Sequence, residues 1–478
     1  MSDYYRLHPL MILQQTIISI RNLSFAYLIS LSLFFSHKFF YGWLAVIGLT
    51  VFCLLLAVYH WLFFKYRLGS SQLNVQHGLF VKKQLVIPYS RIQAVQRQSW
   101  FFLKPFGIFS LIIETAGSEA ENVNLLAVKE EVYQQLQQAR KKSTDNHFEI
   151  EQKQAVVKPF FEVSTGDILL FSFTDQSIFI MLFAFLSFYD SLKSWLSKKW
   201  LIAQQHQLAL AGIVVILFLL LLLLLILVLA AVLKNLIHYY HFQVQRQKNE
   251  LIVERGFFER TTLTIPLQRI QAIQIKQNFF RSWLKLASVE LILAAGRGNQ
   301  NDDAVSDDTF YLLPIIQQSQ VWLVLQKLLP EWQLIKPQKK DLKTGSKFLF
   351  LRFAASFTVI IAVAGFWLNL YLGFAASFLG FLLVIRAWWA SKNQTAGTIG
   401  TELIYLKRVS GFCRETLITQ KNKIQCRQIK TTWWLNGRHL GHFVLVIKAG
   451  SSSQEAKLRY LSLASCRFLK DLFGLPVE

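Results

Sequence analysis

The chain has 478 residues, of which 53% are apolar and 14% aromatic, with a mean hydropathy of +0.35 and a formal net charge of +23. So apolar a composition excludes an ordinary soluble protein and points to membrane spans. The basic charge then fits an anionic membrane surface and topology control, and without a long basic run it argues against a nucleic-acid partner.

In chain order, "LHPLMILQQTIISIRN" reads as a partly amphipathic approach to the membrane. Two apolar segments follow, "LSFAYLISLSLFF" and "LAVIGLTVFCLLLAVYHWLFF". Crossing ~30 Å of hydrocarbon takes about 20 helical residues; the second segment meets that outright, and the first does if it begins near Thr16. From Tyr66 the pattern changes to short alternating strands punctuated by Gly and Pro, closed by the amphipathic helix "LLAVKEEVYQQLQQARKK". The cycle then recurs twice, with spans near "DILLFSFTDQSIFIMLFAFLSFY", Leu208–Leu233, Phe348–Leu368 and Tyr371–Trp389. The predicted division is 1–64 for the N-terminal segment and first hairpin, 65–145 for the first soluble unit, 165–234 and 235–335 for the second hairpin and unit, and 348–390 and 395–478 for the third. A period this long marks tandem copies of one module, two spans plus one soluble unit.

A shared motif runs through the units: Gly78 to Phe102, Gly256 to Phe280, and a worn copy from Gly411. Gly to Pro is ten residues in the first two, and Pro to Arg three (Pro88–Arg91, Pro266–Arg269). "RIQ" at Arg91 and Arg269 becomes "KIQ" at Lys423, where the proline is missing and the spacing is one residue shorter. Ten residues past each basic residue stands an aromatic pair: Phe101 and Phe102, Phe279 and Phe280, Trp433 and Trp434.

These residues, with "RLHP" before the first span and "VSTGDILL" entering the third, resemble the bacterial pleckstrin-homology domain of the YdbS/YdbT type, nearly throughout the chain. The resemblance implies antiparallel β units of pleckstrin-homology-like fold, each capped by a C-terminal helix, carried on α-helical membrane hairpins. It carries no catalytic residues, implies a cell-envelope role, and makes a smaller membrane protein of the same family a candidate partner alongside membrane lipids.

Arg91 and Arg269 are candidate ligands for a lipid phosphate or a partner's carboxylate, because a guanidinium offers paired donors. The plainer account, preferred on the residues alone, has Pro starting or edging a strand, Ile in the core and Arg pinning a turn near the membrane. The aromatic pairs read as a membrane-dipping loop, as a contact with the unit's own hairpin, or as core. No metal site is expected: the pairs His238/His241 and His439/His442 lack a third ligand, and "GRGNQND" after Ala295 is not followed by a helix. Cys53, Cys413, Cys426 and Cys466 form no CxxC and read as reduced thiols. The N-terminus lacks a cleavable signal pattern, so the first span is expected to act as an uncleaved anchor.

Every soluble unit is separated from the next by two spans, so all three are expected on one side with both termini. Fourteen basic residues flank that side against four (Lys38, Lys193, Lys198 and Lys199) in the hairpin connections, which predicts a multi-pass protein of the cytoplasmic membrane with its units in the cytoplasm. With no catalytic motif in a fitting context and no cofactor motif, the reading is a non-enzymatic protein whose units bind lipid headgroups or protein partners. The alternative is an exporter or flippase-like component gated by its soluble units, disfavoured by the scarcity of charge in the spans.

Overall fold

The computed structural model describes residues 4–35, 39–78, 82–115, 123–144, 160–174, 209–294, 309–336, 347–450 and 452–473. Outside these residues lie most of the third span with Asp175, the lysines of the hairpin connections, the segment containing "GRGNQND" and its acidic continuation, and most of the basic linker before the third hairpin.

The N-terminal strand β1 (Tyr5–Arg6) precedes α1 (Met11–Asn22), α2 (Ser24–Phe35) and α3 (Phe39–Phe63). The first hairpin's leading arm is two helices parted at Leu23, not one helix from Thr16. Gln14 and Ser110 exchange buried hydrogen bonds of 2.8 and 2.9 Å, which hold α1 against the first module.

The first module comprises β2 (Lys65–Leu68), β3 (Gln72–His77), β4 (Lys83–Pro88), a 3₁₀ corner (Tyr89–Arg91), β5 (Ile92–Trp100), β6 (Ile108–Thr115), β7 (Val123–Lys129) and α4 (Glu130–Thr144). The second follows β8 (Phe161–Glu162), α5 (Thr165–Phe173) and α6 (Ala209–His238). It contains β9 (Gln243–Gln247), β10 (Glu250–Arg255), β11 (Glu259–Pro266), a corner (Leu267–Arg269), β12 (Ile270–Asn278), α7 (Phe279–Trp283), β13 (Leu286–Leu293), β14 (Thr309–Gln317) and α8 (Val321–Leu328). The third follows α9 (Lys347–Leu368) and α10 (Leu370–Lys392). It contains β15 (Thr395–Ile399), β16 (Leu403–Ser410), β17 (Cys413–Gln420), a corner (Lys421–Lys423), β18 (Ile424–Lys430), α11 (Trp433–Asn436), β19 (Leu440–Ala449), β20 (Ser452–Ser462) and α12 (Leu463–Leu472).

Each module is two antiparallel three-stranded meanders with a core between them and a helix closing it. Its two meanders belong to different sheets. The strand orders are β1-β2-β3-β4, then β7-β6-β5-β11-β10-β9-β8, then β14-β13-β12-β17-β16-β15, then β18-β19-β20. The second meander of one module therefore continues, strand to strand, into the first meander of the next. Four sheets bracket three cores.

The two joints use one register. Glu259 to Thr264 of β11 face Trp100 back to Val95 of β5, and Cys413 to Thr419 of β17 face Asn278 back to Ala272 of β12. Aligned on the repeat, these are the same pairs. Each joining strand opens with a bulge at the same place, between Ile92 and Ala94, Ile270 and Ala272, and Ile424 and Cys426. The residue missing from the third copy falls in the hairpin turn, Gly411–Phe412 against Gly256–Phe258, and so leaves the register untouched. At about 1 kcal/mol net per ladder hydrogen bond, six or seven residue pairs make each joint far stiffer than a surface contact between domains.

Three described helices, Phe40–Phe63, Leu349–Leu368 and Leu372–Lys392, are long and apolar enough to cross a membrane. The fourth apolar run is carried by α6, 30 residues long.

Candidate membrane and partner interface

The motif's "P-x-x-R-I" segment is the corner at which the chain leaves one sheet for another. Pro88 and Pro266, at φ −61° and −65°, end the third strand of their modules with the dihedral that proline prefers. Gln420 holds a similar extended conformation at φ −80°, open to any residue, which is why the third copy dispenses with proline. Tyr89 is buried in the first corner and donates to the Gly69 carbonyl at 2.8 Å. Ile92 and Ile270 sit in the cores, so the Pro and Ile of the motif are structural.

The three basic residues differ. Arg91 is exposed and makes no ion pair with any described residue. Arg269 is half-buried. Lys423 reaches across the second joint and donates to the backbone carbonyls of Gln268, at 3.3 Å, and Ile270. Its ammonium lies 5.5 Å over the Trp332 ring, and burial lowers its pKa. Lys423 is a brace between modules.

The aromatic pairs stand at the opposite ends of the same strands. β5 has nine residues, so at about 3.3 Å per residue its two ends lie roughly 30 Å apart. One small ligand cannot meet Arg91 and Phe101 together. The aromatic ends are where the joints meet the spans. The Phe101 amide donates to the Phe258 carbonyl at 2.8 Å, and their rings are 5.6 Å apart. Phe257, beside it, donates from its amide to Ile237 near the end of α6 at 3.0 Å. At the second joint the Phe279 amide donates to the Phe412 carbonyl at 3.1 Å, the Phe279 ring is 6.1 Å from Trp389 of α10, and Arg386 of α10 donates to the Gly411 carbonyl at 2.8 Å. In the third module Trp434 is half-buried, 6.0 Å from Phe353 of α9, whereas Trp433 is 89% exposed.

Phe101, Phe279 and Phe280 are exposed too, and Phe102 alone among the first two pairs packs against a core. The pairs thus combine contact with the spans and open apolar surface. Several partners were not read from the sequence: Phe257, Phe258 and Phe412 in the hairpin turns, and Trp283, 79% exposed. The signal was there in the phenylalanines that follow the second and third motif glycines, as "GFF" and "GFC". Gly256 itself is at φ +105°, and a Cβ there would stand 2.0 Å from the Glu259 carbonyl oxygen, so the turn that presents Phe257 and Phe258 requires glycine.

Charge is placed differently in the two joints. In the second, Arg408, Glu415 and Lys276 face one another across three neighbouring strands, and Lys276 also pairs with the buried Glu290 at 2.7 Å. The corresponding residues facing across the first joint are Thr261 and Gln98, both neutral. Of the histidines, His442 takes a hydrogen bond on Nδ1 from the Tyr460 amide at 3.1 Å. Burial first, then Lys457 and Arg459, push its pKa down to about 4, so it serves as a neutral acceptor.

The model of the family described as bacterial PH domain matches residues 20–143 and 205–321, a little over half of the chain. The chain belongs to the bacterial PH domain family. The matched segments cover the first two bacterial PH modules, and the third, with the same order of strands, lies beyond them. Among curated proteins, the chain is 24% identical over 488 residues to "UPF0699 transmembrane protein YdbT" of Bacillus subtilis (strain 168), covering 98% of each. It is a membrane protein with bacterial PH modules on α-helical spans.

Proposed function

We propose that this protein is a non-enzymatic scaffold of the cytoplasmic membrane. Six spans hold a row of three modules on the cytoplasmic face, the aromatic ends of the joining strands rest in the lipid interface, and the basic corners face protein partners. The observation that carries this reading is the bonding of both joints to the spans at their aromatic ends, by Phe257 to Ile237 and by Arg386 to Gly411. Exposed rings at that level favour the headgroup region, where an apolar body and a polar surrounding are both accommodated. The excess of basic residues flanking the modules supports the cytoplasmic side.

Arg91, at the far end of β5, is suited to a partner's carboxylate rather than to a lipid phosphate. A role in the cell envelope, and a smaller family member among the partners, follow from the resemblance. Spin labels at Phe101→Cys, Trp283→Cys and Arg91→Cys in lipid nanodiscs, with Cys426 replaced by serine, test the orientation. Relaxation by oxygen should dominate at the first two sites and relaxation by a water-soluble nickel chelate at the third. Nickel dominance at all three would overturn the reading.

A further inference from the structure

We propose that the outer edge of β18 is a docking site for the third strand of a like module on a different protein, bound in the register of β17 on β12 and presenting a carboxylate to Lys430. This deepens the partner-binding half of the scaffold reading and is independent of its lipid half.

The fold repeats one joint twice and then leaves half of it open. β5 and β12 each receive the third strand of the following module in the same register. β18 has the same corner before it, the same bulge and the same aromatic pair after it. Among the described residues it pairs with β19 alone. Burial follows suit: every strand position from Ala272 to Ile275 in β12 is buried, whereas none of the seven residues of β18 is. An unpaired row of N–H and C=O groups beside half-exposed side chains is a template for strand addition.

Charge selects the occupant. Lys430 occupies the place of Lys276, which faces Glu415 across the second joint. Lys430 is 47% exposed, lies 3.4 Å from the exposed Glu455, and also acts electrostatically on Lys457, which leaves the positive charge of this edge incompletely matched. On this chain, β4 is the third strand whose outer edge pairs with no described strand. In the same register β4 would set Lys83 opposite Lys430 and Val86 opposite Arg427, and like charges directly opposed destabilise a strand pair. A second copy is therefore disfavoured, and the fitting strand comes from another chain, with an acid at the position of Glu415.

The full chain in nanodiscs, probed with two synthetic hairpins under mild oxidation, tests this. One hairpin is 403–420 with Cys413→Ser and Thr419→Cys, which carries Glu415 and sets its thiol opposite the native Cys426. The other is 72–88 with Ile87→Cys, which carries Lys83 in the equivalent place. The first should form the mixed disulfide about tenfold faster than the second. Moving its thiol to position 418 should abolish trapping, and Lys430→Glu in the protein should reverse the preference while lowering its thermal midpoint only slightly, through the exposed contact with Glu455. Equal rates for the two hairpins, or trapping indifferent to the thiol's position, would overturn the proposal. So would Ile87→Cys in the full chain trapping Cys426 of a second copy.

Discussion

Lys423 and Arg91 stand at the same position of one repeated motif and do opposite things. The ammonium of Lys423 is half-buried between two carbonyls of the neighbouring module and the Trp332 ring, whereas the guanidinium of Arg91 projects into solvent. Replacing Lys423 with Met keeps the aliphatic stem and strands the carbonyls of Gln268 and Ile270. The expected loss is about 1–3 kcal/mol, seen as a lower thermal midpoint of the full chain. Arg91→Ala should stay within about 0.5 kcal/mol of the parent in the same measurement. Equal effects would mean that the two residues share a structural role. On the residues alone a turn-pinning role near the membrane falls to Arg91 and Arg269; the residue that braces a corner is Lys423, across a module boundary that no spacing revealed.

At the scale of elements, β12 and β17 are held by seven facing residue pairs. Thr416 sits mid-strand in β17 opposite Ile275. Thr416→Pro removes one ladder donor and forces a fixed φ inside a six-stranded sheet. It should cost about 3 kcal/mol or more and open the second joint to limited proteolysis between modules two and three. A protease pattern identical to the parent's would argue against the joint as a continuous sheet. Strands, corners and closing helices were legible because apolar alternation and Gly or Pro punctuation report which residues face a core. Strand partnership was not, because ladder bonds are made by backbone and leave no mark on side chains. "IQAVQRQSW" alternates as a half-solvated edge would, yet Gln96 and Gln98 are 2% and 7% exposed because the next module covers them. The one chemical hint was Lys276 on β12 and Glu415 on β17, opposite charges at matching places in successive copies.

For the whole molecule, sharing sheets makes the modules interdependent. A chain ending at residue 346 would keep the first two modules in full but bare the edge of β12 that β17 covers, including the buried Gln274 and Gln277. It should unfold at a lower temperature than the full chain and associate with itself in nanodiscs, as light scattering would register. A midpoint equal to the parent's would mean that each module stands alone. The candidate site follows from the same arrangement. Because β5, β12 and β18 each run from a corner to an aromatic pair, the aromatics collect at one end and the basic residues at the other. One-dimensional spacing placed them ten residues apart without saying that the distance is an axis.

The partners in the first joint lie about 160 residues apart in sequence. At roughly 5–20 residues per second of synthesis, β5 emerges on the order of ten seconds or more before β11 exists to cover it. Throughout that interval the 30-residue apolar helix α6 is made while the first half of the sheet waits with an open side. The glutamines and Arg97 along β5 are residues that keep such a nascent edge soluble. Strand polarity that looks wasteful in the finished, buried joint is thus suited to the order in which the protein is made.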